Sequence, residues 1–144
     1  MSATNDVENA LLELIFKGTT WANMADNAAG TPATTFYISL HTATPGEAGS
    51  QTSSEAAYTG YARVAVVRTA SGWTVSGSAA VNTAEIVFGE CTASPGSPIR
   101  YAGLGLSSSG SGRLLLFSPL AEAIEMVEGT IPVFAEGQLR FTVD

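Results

Sequence analysis

Short apolar runs separated by Gly, Pro and Ser recur along most of the chain, and they are clearest in its C-terminal third. Residues 99–106 and 113–117 are apolar, and the segment Ser107–Gly112 between them consists of serine and glycine only. Similar punctuation follows at Glu128-Gly129 and Glu136-Gly137. Apolar runs at such near-regular spacing are typical of antiparallel β structure.

The same pattern over the whole chain predicts about eight short strands. They cover residues 36–42, 61–69, 73–75, 81–88, 99–106, 113–120, 131–134 and 138–143. The first run alternates most cleanly, because Phe36, Ile38 and Leu40 share one face of an extended chain. Ser39 and His41 lie on the other face. We therefore expect an all-β fold, an antiparallel β-sandwich that is most simply jelly-roll-like.

One N-terminal amphipathic helix is predicted over residues 5–16. Asn5 can cap it, and Glu8 three residues later makes a pattern like a capping box. Gly18 supplies a left-handed stop. The apolar residues that fall on one helical stripe are Val7, Ala10, Leu11, Leu14 and Ile15, and Leu12 and Phe16 widen it. We expect the helix to cover an edge or end of the β structure, and docking on a partner is the alternative.

A length of 144 residues suggests a single globular domain. Within it we expect an N-terminal helix over residues 1–18, a polar linker over 19–35 and the β-sandwich over 36–144. In the linker, Trp21 and Met24 either pin the segment to the body of the protein or contact a neighbour. The candidate protein-contact residues are Leu11, Leu14, Ile15, Trp21 and Met24, with the loops at 47–54 and 107–112 as further candidates.

Charge and composition narrow the classes of partner. Only 13% of the residues are charged, against about 25% in an ordinary domain, and the net charge is −7. Such a chain neutralises phosphates poorly, so we expect neither a nucleic-acid partner nor an anionic membrane. An uncharged surface rich in Ser, Thr, Ala and Gly suits lasting contact with another protein, and the acidity suits a partner with a basic surface.

The inventory of reactive side chains predicts no enzyme. His41 is the sole histidine and Cys91 the sole cysteine, so they cannot form a zinc site that needs three or four ligands. We expect His41 to be exposed or at an interface, and Cys91 to be a small buried hydrophobe. The acids Glu122, Glu125 and Glu128 are expected to form a solvated face. No catalytic, metal-binding or cofactor-binding residue and no small-molecule substrate is predicted.

Several motifs in their order along the chain resemble a family of small tailed-bacteriophage virion proteins. Glu8-Asn9-Ala10-Leu11-Leu12 resembles the family's N-terminal helix, and Tyr37–Pro45 resembles its first strand and turn. Gly60-Tyr61-Ala62-Arg63 and Asn82–Phe88 resemble two later strand motifs, and Leu114–Leu120 resembles the ending. The resemblance covers nearly the whole chain.

Members of that family are often labelled tail fibre protein, and others look like capsid decoration (cement) proteins. The resemblance implies a structural virion role with no catalytic residues. We expect a decoration protein on the capsid exterior, made in the cytoplasm of the host bacterium. It would bridge neighbouring major capsid subunits and associate with itself as a homodimer or homotrimer.

Two alternatives stay open. A tail fibre or baseplate component, acting as receptor binder or adaptor, would also fit the resemblance, although the chain lacks the long repeats usual in fibre shafts. A carbohydrate-binding module would group aromatic residues on one exposed face, for which Tyr37, Trp73 and Tyr101 are the candidates.

Overall fold

The computed structural model describes residues 4–21, 24, 28 and 31–143. Over these residues one N-terminal helix is followed by β-strands. The strands are β1 (Thr35–His41), β2 (Val64–Val67), β3 (Trp73–Ser76), β4 (Ala79–Asn82), β5 (Ile86–Val87), β6 (Ile99–Gly105), β7 (Leu114–Ile124), β8 (Val133–Phe134) and β9 (Arg140–Thr142). They form sheets of order β2-β1-β6-β7, β3-β4-β9 and β5-β8. The predicted class, mostly antiparallel β with one helix, is confirmed, and the arrangement is consistent with a β-sandwich.

Each predicted run contains a strand, and one run contains two. The run over residues 81–88 is broken after Asn82, so that β4 pairs with β3 and β9 while β5 pairs with β8. Asn82 explains the break, because its buried Nδ2 donates to the carbonyls of Ala84 (2.8 Å) and Ala135 (2.9 Å). The side chain thereby takes hydrogen-bond acceptors of the backbone that would otherwise be available for pairing in a continuous strand.

The described residues divide between two compact units. Unit 1 comprises those within Met1–Thr35, Val67–Glu85 and Ala135–Asp144, and unit 2 comprises Phe36–Val66 and Ile86–Phe134. The helix and the β3-β4-β9 sheet belong to unit 1. The other two sheets belong to unit 2, except for their residues Thr35 and Val67. The expectation of one globular domain with a boundary at residues 35–36 stays a prediction.

The helix of unit 1 begins at residue 5, as predicted, but its cap position is one residue earlier than the predicted Asn5. The cap position is Thr4, whose carbonyl accepts a hydrogen bond from the Glu8 amide (3.0 Å), and α1 runs over Asn5–Leu12. A π-helical turn continues it over Glu13–Lys17. The helix ends at Gly18 with φ of 68°, as the sequence predicts, because glycine adopts this left-handed conformation without strain.

The buried face of the helix is centred on Leu12 and Phe16, the two residues that widen the predicted stripe. Leu12 and Phe16 are fully buried and Glu8 is nearly so, whereas Val7 is 36% exposed. Phe16 packs edge-on against Trp73 with ring centroids 4.7 Å apart, and Phe141 completes the aromatic cluster. The largest side chain on the helix sets its rotation, because burying an aromatic ring removes the most apolar area from water.

The sheet of unit 2 has a central strand, β1, that is buried on both faces. Its apolar residues Phe36, Ile38 and Leu40 are buried as the alternation predicts. Ser39 and His41 on the opposite face are also fully buried, so the predicted polar and exposed face is absent. The cover is loop 47–54, whose Ser53 carbonyl lies 2.8 Å from the His41 ring.

Candidate binding surface

Two loops of unit 2, residues 47–54 and 107–112, are joined by a buried glutamine. We call these two loops the loop platform. The backbone amide of Gln51 donates to the Gly112 carbonyl (2.9 Å). The side-chain oxygen Oε1 of Gln51 accepts from the Ser107 backbone amide (3.0 Å). The Gln51 side chain is fully buried, although its loop is otherwise polar and rich in small residues. Both loops are candidates from the sequence, but nothing in the sequence predicts this link.

Strand β6 makes room for Gln51 by having a glycine where the side chain crosses it. A Cβ atom at Gly105 would lie 2.1 Å from the Gln51 Cδ atom. Any larger residue at position 105 would therefore displace Gln51 from the strand. The glycine is required by this close approach and not by a turn.

Arg63 clamps the second loop from below. Its Nε and Nη2 donate to the two carboxylate oxygens of Glu55 (2.6 and 2.8 Å), a bidentate pair. Its Nη1 donates to the Ser107 carbonyl (2.9 Å), and Nη2 also donates to the Gly110 carbonyl (2.7 Å). The Arg63 side chain is nearly inaccessible to solvent. The hydrogen bond to Glu55 raises the pKa of Arg63, so the clamp stays charged at any physiological pH.

Tyr61 ties the same carboxylate to the central strand. Its hydroxyl donates to Glu55 Oε1 (2.8 Å) and accepts from the Leu40 amide (3.1 Å). Burial raises the pKa of Tyr61, so the phenol remains protonated and keeps donating. Glu55 is thereby held by three donors from two residues.

His41 is fully buried beneath the platform, so the expectation that it is exposed or at an interface is wrong. Its Nδ1 lies 2.8 Å from the Ser53 carbonyl, which can only accept, so Nδ1 carries the proton. Nε2 of the neutral ring then accepts from the Ser39 hydroxyl at 2.9 Å. Each ring nitrogen thus has a partner inside unit 2, and His41 positions loop 47–54 on the sheet.

Burial lowers the pKa of His41 from its ordinary value of 6.5. The hydrogen bond to Ser53 and the charge of Glu55 oppose this shift, and the charge of Arg63 adds to it. The neutral ring is therefore the form that the folded protein accommodates.

The platform presents small polar residues that are held from beneath. Ser108, Ser109, Gly110 and Ser111 are exposed. Their hydroxyls and backbone amides can form hydrogen bonds with a ligand. Because the loop is already ordered by Arg63 and Gln51, a ligand would not have to supply that ordering free energy. The arrangement is suited to binding.

The contact residues expected from the sequence in the helix and the linker lie in unit 1. Leu11, Leu14, Ile15 and Trp21 are half-buried, whereas Met24 is 71% exposed. Arg68 of the same unit donates to the backbone carbonyls of Leu14 and Ile15, which fixes the end of the helix. Their role as partner contacts stays a prediction.

The remaining reactive side chains considered in the sequence are the single cysteine and a group of three glutamates. Cys91 is buried, as predicted, and Glu122, Glu125 and Glu128 are all exposed. Among the described residues, no three His, Cys, Asp or Glu side chains lie close enough together to hold a metal ion. In the same part of the chain, neither helical segment has the length and apolar character needed to cross a membrane.

Comparison with known proteins gives one family. A family model described as podophage GP4 fiber I protein gp80 matches residues 2–142. No curated protein matches the chain. The matched range includes both units and both loops of the platform.

Proposed function

Because the chain belongs to the podophage GP4 fiber I protein gp80 family, a family of phage virion structural proteins, we propose that it is a component of a virion fibre. The family match over residues 2–142 carries this proposal, since it spans nearly all of the 144 residues. The resemblance seen in the sequence points to the same class. The fibre assignment replaces capsid decoration as the first candidate.

Within a fibre, we assign binding to the loop platform. Its exposed serines offer many hydrogen-bonding groups in one fixed arrangement, and Arg63 holds the backbone beneath them at two carbonyls. A preordered loop loses little conformational entropy on binding, so weak contacts repeated over many copies give useful avidity. We propose no catalytic role, because the sole histidine has both ring nitrogens engaged in hydrogen bonds within unit 2.

Localisation in the particle tests the fibre assignment. The protein would carry a short epitope tag at its C-terminus, and purified virions would be imaged with gold-labelled antibody. We expect gold at the fibres of the tail region. Gold spread evenly over the shell would contradict a fibre and support decoration instead.

Substitutions in the platform test its role in binding. Changing Ser109 and Ser111 to Arg adds bulk and charge to the exposed tip without touching the clamp, so we expect slower adsorption of the particles to host cells. Ser97→Arg, at an exposed position of another loop in unit 2, is the matched control. Equal adsorption by the platform variant and the control would contradict the proposal.

Capsid decoration is the second candidate function. It is favoured by the low charged content of 13% and by a sequence without shaft-like repeats. In that role the chain would bridge major capsid subunits on the capsid exterior, each joint burying about 1,600 Å² as in a standard interface. The same gold labelling separates it from the fibre.

A carbohydrate-binding module receives less support from the placement of the aromatic residues. Trp73 is fully buried in unit 1, and Tyr37 and Tyr101 are half-buried in unit 2. Trp73 therefore cannot stack on a sugar, and the aromatic face expected from the sequence lacks its largest member.

A further inference from the structure

Four branched aliphatic side chains of unit 2 are exposed on strands β5 and β8 and in the segment that precedes β8. They are Val87, Val127, Ile131 and Val133, with exposed fractions of 49%, 60%, 47% and 40%. We call them the ribbon patch, because they lie on or beside the two-stranded ribbon of β5 and β8. The platform and its clamp do not use them.

The ribbon places these residues together. Val87 lies directly opposite Val133 in the antiparallel pair, and Ile131 precedes Val133 by two residues, which puts both on one face of an extended chain. Beyond β5 the pairing continues, since the Cys91 amide donates to the Thr130 carbonyl at 2.8 Å. The turn that closes the ribbon brings Val127 to its end, where the Val127 backbone amide donates to Thr130 Oγ1 at 3.2 Å.

The opposite face of the ribbon is already occupied. Ile86, Phe88 and Phe134 are all buried in the core of unit 2. A ribbon with one face in the core ordinarily exposes polar residues on the other. Here both faces are apolar, and a cluster of exposed aliphatic side chains is typical of a protein interaction site.

The charges around the patch indicate what covers it. Glu90, Glu125 and Glu128 are exposed, and the segments 86–91 and 125–134 contain no Lys, Arg or His. In a two-fold contact between copies, the same patch would face itself and bring these carboxylates together. Like charges at a contact disfavour it, whereas a basic rim on a different protein would be complementary.

We propose that the ribbon patch docks another protein of the same virion, whose contact surface has an apolar centre and a rim of Lys or Arg. The inference rests on the proposed virion role and adds the attachment surface and the chemistry of its partner. The four aliphatic side chains form the apolar centre of this surface, and the carboxylates form a polar rim, as in ordinary protein interfaces.

Incorporation into particles tests the apolar centre. A phage deleted for this gene would be grown on cells that supply each variant from a plasmid, and copies per purified particle would be counted by mass spectrometry. We expect Val87→Ser with Val133→Ser to lower the copy number at least about tenfold, because each valine withdrawn from water favours docking by about that factor. Val67→Ser, at a 48% exposed valine of β2, is the matched control.

Charge reversal tests the rim. Glu90→Lys with Glu128→Lys should lower the copy number several-fold, and Glu122→Lys, at an exposed position on β7, should leave it unchanged. Wild-type protein should also be released from particles more readily in 500 mM than in 50 mM salt, because salt screens exposed charges. Release that does not depend on salt would contradict a basic rim.

Three further results would overturn the inference while leaving the virion role intact. One is a normal copy number for the valine variant, and another is a normal copy number for the charge-reversed variant. The third is a lower sedimentation-equilibrium mass of the free valine variant, since that would make a second copy the occupant. Variants would first be checked for a native circular dichroism spectrum. If the serine variant fails this check, Val87→Thr with Val133→Thr would replace it, because threonine has the same side-chain shape as valine. Absence of the wild-type protein from particles would instead refute the virion role itself.

Discussion

Polar residues of unit 2 are buried only where hydrogen bonds satisfy them. Gln51, Glu55 and Arg63 each have partners on a different segment of the chain. A buried polar group without a partner costs about 1–3 kcal/mol, so the network is stable only when all its members are present. The platform is therefore held by a few side chains whose loss has large effects.

Replacing Arg63 by Met should strongly destabilise the protein. The change leaves the half-buried Glu55 carboxylate without its bidentate partner and frees the Ser107 and Gly110 carbonyls, which should lower the free energy of unfolding by about 3 kcal/mol. Urea unfolding measures this loss. Amide hydrogen exchange in residues 107–112 should quicken as well.

The exposed Arg113→Met is the control for Arg63, and we expect it to change stability by less than about 0.5 kcal/mol. Similar losses in the two variants would show that the clamp has no special role. Arg63→Lys should resemble Arg63→Met, because a lysine cannot form the bidentate contact.

The stability of the protein should depend on pH through His41. Burial holds the pKa of His41 in the folded protein below 6.5, its ordinary value in an unfolded chain. At a pH between the folded-state pKa and 6.5, the unfolded chain therefore binds more protons than the folded one. The free energy of unfolding should therefore fall as the pH is lowered through 6.5, and be constant above that range. Urea unfolding from about pH 8 to about pH 5.5, above the range of ordinary carboxyl groups, measures the slope.

Because His41 is the sole histidine, its replacement isolates the effect. His41→Gln should lower stability at pH 8 and remove the slope near pH 6.5. A slope that persists in this variant would assign it to other groups.

At the scale of elements, local pattern and nonlocal packing contribute differently. The existence of the helix and its end at Gly18 follow from the apolar periodicity and from glycine's conformational freedom. The rotation of the helix does not, because Phe16 packs against Trp73 and Phe141, which come much later in the chain. The apolar periodicity of the helix does not distinguish Leu12 and Phe16 from the other apolar residues of the stripe, so it does not predict which of them are buried.

Removing Phe16 tests this packing. Phe16→Ala leaves a cavity beside Trp73 and Phe141, so we expect a loss of about 3–5 kcal/mol in the free energy of unfolding. Val7→Ala, on the exposed face of the same helix, should change it by less than about 0.5 kcal/mol. Thermal unfolding of both variants measures the difference. Equal effects would mean that the helix docks without contributing to the core.

Strand β7 illustrates how an exposed edge is protected. It forms one edge of the four-stranded sheet over 11 residues, and its pairing with β6 shifts register twice. Pro119 lies opposite Tyr101 within it and offers no amide to an incoming strand. Bulges and proline at an edge discourage open-ended pairing between copies of the chain.

For the whole molecule, sparse charge and a net charge of −7 make protein contacts the main expected activity. The homodimer or homotrimer expected from the sequence stays a prediction. Sedimentation equilibrium should give two or three times the 14.8 kDa of one chain. The ribbon-patch substitutions should leave that mass unchanged, since we assign the patch to a different protein. A monomeric wild-type protein would contradict the expectation.

The amino-acid sequence by itself determined the β class, most strand positions, the helix and the absence of a familiar catalytic motif. These follow from periodicity and turn residues, which act between near neighbours in the chain. The burial of His41 and Gln51 and the Arg63 clamp were decided by the tertiary structure alone. Arg63 and Ser107 are 44 residues apart, and Gln51 and Ser107 are 56 apart, so no local pattern can report their contact. A segment of small polar residues predicts an exposed loop, and only the tertiary structure shows which of its residues, such as Gln51, are buried.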